Sequence, residues 1–299
     1  MKITTFILSG LVLCHGLFAI EVQALIVINS VDNPESRTLQ EITQTNYSAD
    51  SYYTLANVKA ESGDLKGAIA AFDRVIELNP DHAAAYANRG LAKDKLGNTQ
   101  GAISDYDRAI QLNPSSDILA VVYNNRGSAT DDLGDRSSAT SDFNRAIQLN
   151  PNYANAYNNR GLSKHKAGNN LAALSDFNRA IELNPKSFDF YYNRGLTKYK
   201  LQDKHGAISD YNRAIQLDSK QSIAYNNRGL SKSDLGDIKG AIADFDRAIQ
   251  LNSKSAAAYY NRGNIRRRIK NKAGAISDLS KAAELFNRQG QAGNYEMIK

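Results

Sequence analysis

The stretch YANRGLAKDKLGNTQGAISDYDRAIQLNP, residues 86–114, decides the fold of this chain. Its opening pattern, Tyr-x-Asn-Arg-Gly, returns at intervals of 37, 34, 34, 34 and 34 residues and ends at Gly90, Gly127, Gly161, Gly195, Gly229 and Gly263. A period near 34 residues is typical of stacked supersecondary units, each of which buries its apolar face against its neighbours. The sequence therefore predicts a repeat architecture, and it favours a binding surface over a catalytic centre.

Each repeat predicts two helices. Residues 83–96 and 99–112 carry small and aromatic side chains at helical spacing, and Gly97 interrupts the pattern between them. The motif glycine, Gly90 in this repeat, lies in mid-helix, where glycine costs about 1 kcal/mol relative to alanine. We therefore expect a neighbouring helix to pass too close for a Cβ atom.

The third repeat carries an insertion. Pro114 and Tyr123 are three residues further apart than Pro80 and Tyr86. Three residues add nearly one turn to a helix. The spacing predicts a longer first helix that begins near Ser116 or Asp117.

The positions of Tyr86, Gly90, Ala102, Tyr106 and Pro114 resemble the signature of the tetratricopeptide repeat family. The amino-acid sequences of the motifs are similar to those of bacterial members of the family, cyanobacterial ones especially. The resemblance implies an all-α fold, a right-handed superhelical solenoid of about seven two-helix units. It also implies that the concave face binds a protein or peptide.

Two kinds of departure from the family pattern stand out. Gln202 and Lys270 replace the glycine between the helices, and Ser219 and Ser253 replace the terminal proline. We expect them to loosen two turns without breaking the pattern. The predicted repeats span residues 49–82, 83–116, 117–153, 154–187, 188–221, 222–255 and 256–287, followed by a tail at 288–299.

The N-terminus predicts export. Lys2 precedes an apolar run over residues 3–20, and the sequence up to Ala24 resembles a signal peptidase site. We expect residues 1–24 to be a cleaved signal, residues 25–48 to be a linker, and the mature chain to reside in a periplasm, a thylakoid lumen or the extracellular space. The alternative is an uncleaved membrane anchor. Cys14, the only cysteine, lies in this segment, so disulfides are not expected.

The net charge of +6 has a local component near the C-terminal end. This basic cluster could contact an anionic membrane or polymer, or it could be a solvated helix end. An exported protein is not expected to meet nucleic acid. The basic cluster consists of Arg266, Arg267, Arg268, Lys270 and Lys272.

Two positions in repeats two to seven carry opposite charges. The arginine of the motif recurs with an aspartate in the second helix, whereas the first repeat has Leu55 and Ala71 at these positions. Because both positions change together, we predict ion pairs between the helices; the alternative is that the arginines bind ligand. The predicted pairs are Arg89–Asp105, Arg126–Asp142, Arg160–Asp176, Arg194–Asp210, Arg228–Asp244 and Arg262–Asp278.

The asparagine before each arginine is the candidate binding residue. The resemblance places it on the concave face, where such ladders hold extended peptide backbone in some members of the family. An amide suits that task because it both donates and accepts hydrogen bonds. The alternative is that asparagine only keeps this face hydrated. The predicted site comprises the asparagines Asn88, Asn125, Asn159, Asn193, Asn227 and Asn261 and their neighbours Asn124, Asn158, Tyr192, Asn226 and Tyr260.

Catalytic chemistry is not indicated. His82, His165 and His205 lie in three different repeats without metal-ligand spacing, and no phosphate-binding glycine loop occurs. Some family members hold chaperone tails with lysine and arginine on the groove helices, but most repeats here have asparagine, alanine, tyrosine or leucine at the equivalent places, so chaperone tails are not expected as the ligand. We therefore expect no cofactor, no metal and no enzymatic activity. The sequence predicts a scaffold that binds a peptide or partner protein during assembly of an envelope or lumenal complex, or alternatively a module that attaches to anionic lipid or polymer through the basic cluster.

Overall fold

The computed structural model describes residues 48–290. The chain divides into two compact units, residues 1–135 and 136–299. All regular structure in the described residues is α-helical. The predicted signal, nearly all of the predicted linker and the end of the tail lie outside the described residues, so these expectations stay predictions.

The first unit holds two complete helix pairs and one further first helix. Each helix packs against the next one along the chain. The helices are α1 (Ala49–Glu61), α2 (Leu65–Leu78), α3 (Ala83–Lys95), α4 (Thr99–Gln111) and α5 (Ser116–Asp132).

The second unit begins with a second helix and continues with four complete pairs, again packed in sequence. We call the odd-numbered helices of this unit its first helices. The helices are α6 (Arg136–Leu149), α7 (Ala154–Lys166), α8 (Asn170–Leu183), α9 (Phe188–Lys200), α10 (Lys204–Leu217), α11 (Ser222–Asp234), α12 (Ile238–Leu251), α13 (Ala256–Arg268) and α14 (Lys272–Arg288).

Helix α5 confirms the predicted longer first helix of the third repeat. It begins at Ser116 and has 17 residues, whereas α3 has 13. The inserted residues therefore lengthen one helix and are not accommodated as a loop.

Second helices begin at a recurring cap. The side chain of Asp237 accepts a hydrogen bond from the backbone N–H of Gly240, and that of Asn98 accepts one from Gly101. A capping side chain of this kind is worth about 1 kcal/mol because it satisfies a backbone donor that the helix leaves open. Asp64, Asp203 and Asn271 cap the helices that follow them in the same way.

The expected loosening of two turns is wrong. Gln202 and Lys270 adopt φ angles of 67° and 63°, in the same left-handed region as Gly236 at 85°. The helix that follows each of them begins two residues later, as it does after Gly236. These turns keep the geometry of the repeat, and the cost is backbone strain at a residue that has a Cβ atom.

The motif glycines confirm the expected close approach. A Cβ atom on Gly161 would lie 2.9 Å from Phe177 Cε1 and 3.2 Å from Asp176 Cβ, and one on Gly90 would lie 2.8 Å from Tyr106 Cε1. Both aromatic rings are fully buried. The absent side chain therefore lets the two helices of a repeat pack at the density of a protein interior.

Candidate functional site

The arginine and aspartate of each repeat form the predicted ion pair where both lie in one unit. Arg160 Nε and Nη2 donate to the two carboxylate oxygens of Asp176 at 2.9 and 2.6 Å. Each aspartate is buried. The same two-pronged contact joins Arg89 to Asp105, Arg194 to Asp210, Arg228 to Asp244 and Arg262 to Asp278. The sixth pair, Arg126 and Asp142, has one member in each unit and stays a prediction.

Each of these five aspartates has a second cationic partner that the sequence analysis missed. Lys164 Nζ lies 2.7 Å from Asp176 Oδ2. This residue follows the arginine by four positions, which places it on the same helix face. The recurrence of a cation four residues after the motif arginine was the signal available in the sequence. The other partners are Lys93, Lys198, Lys232 and Arg266.

The motif arginine also reaches the preceding repeat. Arg194 Nη1 donates to Asn178 Oδ1 at 2.8 Å, and the guanidinium lies over the ring of Tyr191 with 5.6 Å to its centroid. Stacking on an aromatic face is favourable for a guanidinium. With Nε, Nη1 and Nη2 all bonded inside the fold, the arginines act as structural links between helices and between repeats.

Burial shifts the pKa values of two tyrosines, which occupy the same place in their repeats as Phe177 does in its own. Tyr106 and Tyr211 are fully buried, and their hydroxyl groups have no hydrogen-bond partner among the described residues. Burial raises the pKa of both, and the nearby carboxylates of Asp94 and Asp105 raise that of Tyr106 further. Both phenols are therefore neutral and carry an unsatisfied polar atom.

The eleven predicted site residues are all at least partly covered. Asn88, Asn124, Asn125, Asn158 and Asn226 are buried, with at most 8% of their surface exposed. The other six are half-buried: Asn159, Tyr192, Asn193, Asn227, Tyr260 and Asn261.

The motif asparagines are joined from one repeat to the next by hydrogen bonds. Asn193 Nδ2 donates to Asn158 Oδ1 at 3.0 Å, and Asn261 Nδ2 donates to Asn226 Oδ1 at 2.9 Å. Asn227 Nδ2 donates to the hydroxyl of Tyr192 at 3.0 Å. In the first unit, Asn88 Nδ2 donates to the hydroxyl of Tyr53 at 3.1 Å. In these four bonds the partner lies 35 residues earlier, and Asn88 Nδ2 also donates to Asn57 Oδ1 at 3.0 Å. The neighbouring repeat therefore fixes the donor group of each of these four amides. We call the series of motif asparagines the asparagine ladder.

Whether the carbonyl oxygen of a ladder amide accepts a hydrogen bond depends on the residue just before the asparagine. Asn158 Nδ2 donates to Asn159 Oδ1 at 3.2 Å, and Asn226 Nδ2 donates to Asn227 Oδ1 at 3.1 Å. Where that residue is Ala87, no amide is available, and the buried Oδ1 of Asn88 has no partner among the described residues. A side chain next to the ladder thus decides whether a ladder carbonyl is engaged.

The basic cluster lies where α13 ends and α14 begins. Arg266 is bonded to Asp278, and Arg268 Nη1 donates to Ser233 Oγ at 3.3 Å. Arg267, Lys270 and Lys272 are exposed. Elsewhere in residues 48–290, no group of acidic, histidine or cysteine side chains has the arrangement of a metal site, and no helix is long and apolar enough to cross a bilayer.

Family models described as tetratricopeptide repeat or TPR repeat match most of the described chain. One model matches residues 53–117, a second matches residues 127–168, 163–202 and 232–268, and a third matches residues 188–221 and 256–288. The chain belongs to the tetratricopeptide repeat family. Repeats of this family serve as protein-interaction scaffolds, and this tetratricopeptide repeat chain is accordingly a non-enzymatic scaffold.

Solved structures show the same fold. A tetratricopeptide repeat protein from Parabacteroides merdae shares 22% identity, with a TM-score of 0.64 and coverage of 84% of this chain and 98% of that one. The Cut9–Hcn1 hetero-tetramer of APC/C shares 16% identity at a TM-score of 0.69, covering 87% of this chain and 51% of the other. The structure of Pseudomonas aeruginosa pilF shares 17% identity with a TM-score of 0.62, and the match covers 72% of this chain and 96% of that one. The comparison with curated proteins finds no match.

Proposed function

We propose that this tetratricopeptide repeat scaffold binds an extended peptide segment of a partner protein along the part of the asparagine ladder that lies in the second unit, from Asn159 to Asn261. The observation that supports the proposal is the orientation of the amides. One N–H of Asn193, Asn227 and Asn261 is held by the preceding repeat, so the half-buried side chains present polar groups in a fixed arrangement. Groups fixed before binding lose less conformational entropy when a ligand arrives.

Panning a random-peptide display library on the immobilised chain, residues 25–299, tests the proposal. We expect enrichment of peptides that lose binding to a variant with Asn159, Asn193 and Asn227 changed to alanine. The matched control changes three amides on second helices, Gln148, Gln216 and Gln250, to alanine and keeps binding. Absence of any enriched peptide, or equal binding by the two variants when both retain the circular dichroism spectrum of the native chain, would contradict the proposal.

We also propose that the scaffold acts outside the cytoplasm, in the assembly of an envelope or lumenal complex. The support is the sequence of residues 1–24, which resembles a cleaved signal. N-terminal sequencing of the chain recovered from the expressing cell tests this, and we expect it to begin at Leu25. A chain that still begins at Met1 in the cytoplasmic fraction would contradict export.

A second candidate function rests on the basic cluster, because Arg267, Lys270 and Lys272 are exposed. Each basic residue near an anionic membrane surface contributes about 1 kcal/mol, and this attraction is screened within about a Debye length. Co-sedimentation with phosphatidylserine-containing vesicles tests it. Binding that is lost at high salt, and lost when these three residues are changed to glutamine, would support attachment through this cluster. Binding along the asparagine ladder should be much less sensitive to salt.

A further inference from the structure

Two asparagines of the ladder in the second unit have carbonyl groups that remain open. Asn193 and Asn261 each follow a tyrosine, Tyr192 and Tyr260, which has no amide to donate back. Within residues 136–290, their Oδ1 atoms accept no hydrogen bond, whereas Asn227 Oδ1 accepts one from Asn226. The ladder therefore has open positions on α9 and α13 and an engaged position on α11, which lies between them.

The open carbonyls are fixed in place. Asn193 Nδ2 is held by Asn158, and Asn261 Nδ2 is held by Asn226, so each amide has a set orientation. Both side chains are only half-buried. A carbonyl oxygen that is fixed, accessible and without a donor is suited to accept a hydrogen bond from a ligand N–H group.

A cationic side chain accompanies each open carbonyl. Lys200 follows Asn193 by seven residues, and Arg268 follows Asn261 by seven. This spacing puts both members of a pair on the same helix face, about 10 Å apart along the axis. Lys200 and Arg268 are exposed. In the described residues Lys200 forms no ion pair, and Arg268 bonds only to the neutral hydroxyl of Ser233.

The intervening helix α11 carries the opposite charge at the position that corresponds to Lys200 and Arg268. Asp234 replaces the cation, and it accepts hydrogen bonds from Tyr199 at 2.9 Å and Lys204 at 2.8 Å. Burial alone would raise the pKa of Asp234, but these two bonds and the nearby positive charges of Lys204 and Arg268 outweigh it and lower the pKa. The charge of Asp234 is paired with Lys204, and Arg268 is near enough to be attracted to Asp234 without forming an ion pair. Among the described residues, Lys200 on α9 and Arg268 on α13 therefore have no ion-pair partner and can attract an anionic ligand.

We propose that α9 and α13 bind an extended acidic peptide, whose backbone N–H groups donate to Asn193 and Asn261 and whose carboxylates pair with Lys200 and Arg268. The proposal rests on the peptide-binding function above and names its ligand class. Packed neighbouring helices lie about 8–10 Å apart, so two steps along the first helices span about 16–20 Å. An extended peptide rises about 3.3 Å per residue, which separates its two contact points by about five or six residues.

The same panning experiment, followed by titration of a single selected peptide, separates the two proposals. We expect the enriched peptides to be rich in aspartate and glutamate. A labelled Glu-rich peptide of about 12 residues, long enough to reach both contact points, should lose about threefold to tenfold in affinity with Lys200→Gln plus Arg268→Gln. The matched control, Lys66→Gln plus Lys239→Gln, removes two exposed lysines from second helices and should change affinity little.

The backbone contact has its own test. The variant Asn193→Ala plus Asn261→Ala should weaken the Glu-rich peptide by a similar factor, whereas Asn227→Ala should weaken it less because that carbonyl is already engaged. A Glu-rich peptide methylated on alternate backbone nitrogens keeps its charge but loses N–H donors, and it should bind more weakly to the native chain but equally to the double asparagine variant. Circular dichroism of each variant checks that it is folded.

The outcomes are distinct. Enrichment of peptides without acidic residues would overturn the acidic ligand and leave peptide binding intact. Absence of enrichment would overturn both proposals. Equal binding of the methylated and unmethylated peptides by the native chain would show attraction by charge alone and would overturn the role of the two carbonyls. If a variant unfolds, the methylated peptide and the glutamine substitutions at exposed Lys200 and Arg268 still decide the question.

Discussion

At the scale of single residues, neighbouring side chains of one short motif have different structural roles. In the repeat at residues 154–187, Gly161 admits the ring of Phe177, and Arg160 ties two second helices together through Asp176 and Asn144. Asn159 belongs to a separate set of contacts with its neighbour Asn158. Adjacent residues can serve such different partners because successive helical positions point about 100° apart.

Breaking one arginine–aspartate pair should cost more than removing it. Arg160→Leu leaves the buried Asp176 with Lys164 as its only cationic partner, and we expect a loss of about 2–4 kcal/mol in the free energy of unfolding. Arg160→Leu with Asp176→Ala should lose less, because no buried charge is left behind. Urea denaturation measures both. A double variant as unstable as the single variant would refute the pairing, and Arg179→Leu, at an exposed surface pair, serves as the control.

The buried hydroxyl of Tyr211 predicts a stabilising substitution. Tyr211→Phe removes a polar atom that has no partner among the described residues, and we expect the free energy of unfolding to rise by about 1 kcal/mol. Phe177 and Phe245 occupy the same place in other repeats, so the ring fits. Tyr192→Phe is the matched control, and it should be destabilising because the Tyr192 hydroxyl accepts from Asn227. Thermal or urea unfolding distinguishes the two, and a loss of stability in Tyr211→Phe would contradict the interpretation.

At the scale of the helices, most of the architecture could be predicted from the sequence, because the contacts that define a repeat recur within it. The helix pairs, the extended α5 and the close approach at Gly161 all follow from local spacing. The links between repeats could not be predicted in the same way. The bonds from Asn193 to Asn158 and from Arg194 to Asn178 depend on how one repeat seats on the next, and the spacing within a single repeat does not specify that geometry.

A turn between helices is strained where a residue other than glycine has a positive φ angle. Gln202 has a φ of 67°, a conformation that costs a residue with a Cβ atom about 1–2 kcal/mol. Gln202→Gly should therefore raise the free energy of unfolding by about 1 kcal/mol, since the greater freedom of glycine in the unfolded chain offsets part of the gain. The reciprocal change, Gly236→Gln, should lower it by a similar amount. Opposite signs in chemical denaturation support the account, and a loss of stability in Gln202→Gly would contradict it.

At the scale of the whole molecule, the chain is a series of near-identical units whose stability comes from contacts within repeats and between adjacent ones. The candidate site follows the same logic, because the ladder asparagines Asn88, Asn193, Asn227 and Asn261 are each held by a hydrogen bond to the repeat before them. The sequence could predict which residues form the ladder. It could not predict that Asn159 and Asn227 have engaged carbonyls, since that depends on side-chain orientations at Asn158 and Asn226.

Removal of one entire repeat should leave a folded protein. Deletion of residues 188–221 joins α8 to α11, so Arg228 can bond to Asn178 in place of Asn212, and Asn227 can bond to Asn158 in place of Tyr192. We expect an unchanged mean residue ellipticity, a lower free energy of unfolding and a smaller m-value in urea, because less surface is exposed on unfolding. Deletion of residues 188–203 removes a single first helix with its turn and should disrupt the stack. Similar behaviour of the two deletions would contradict nearest-neighbour assembly.

The residue before each ladder asparagine has an evolutionary consequence. Asparagine and tyrosine codons differ by one base, so a single mutation at a position such as Asn226 removes the side chain that engages the ladder carbonyl. The hydroxyl of Tyr192 shows that tyrosine still accepts the bond from the next repeat, so the stack is preserved. Ligand preference can thus diverge one repeat at a time among duplicated copies, without passing through an unfolded intermediate.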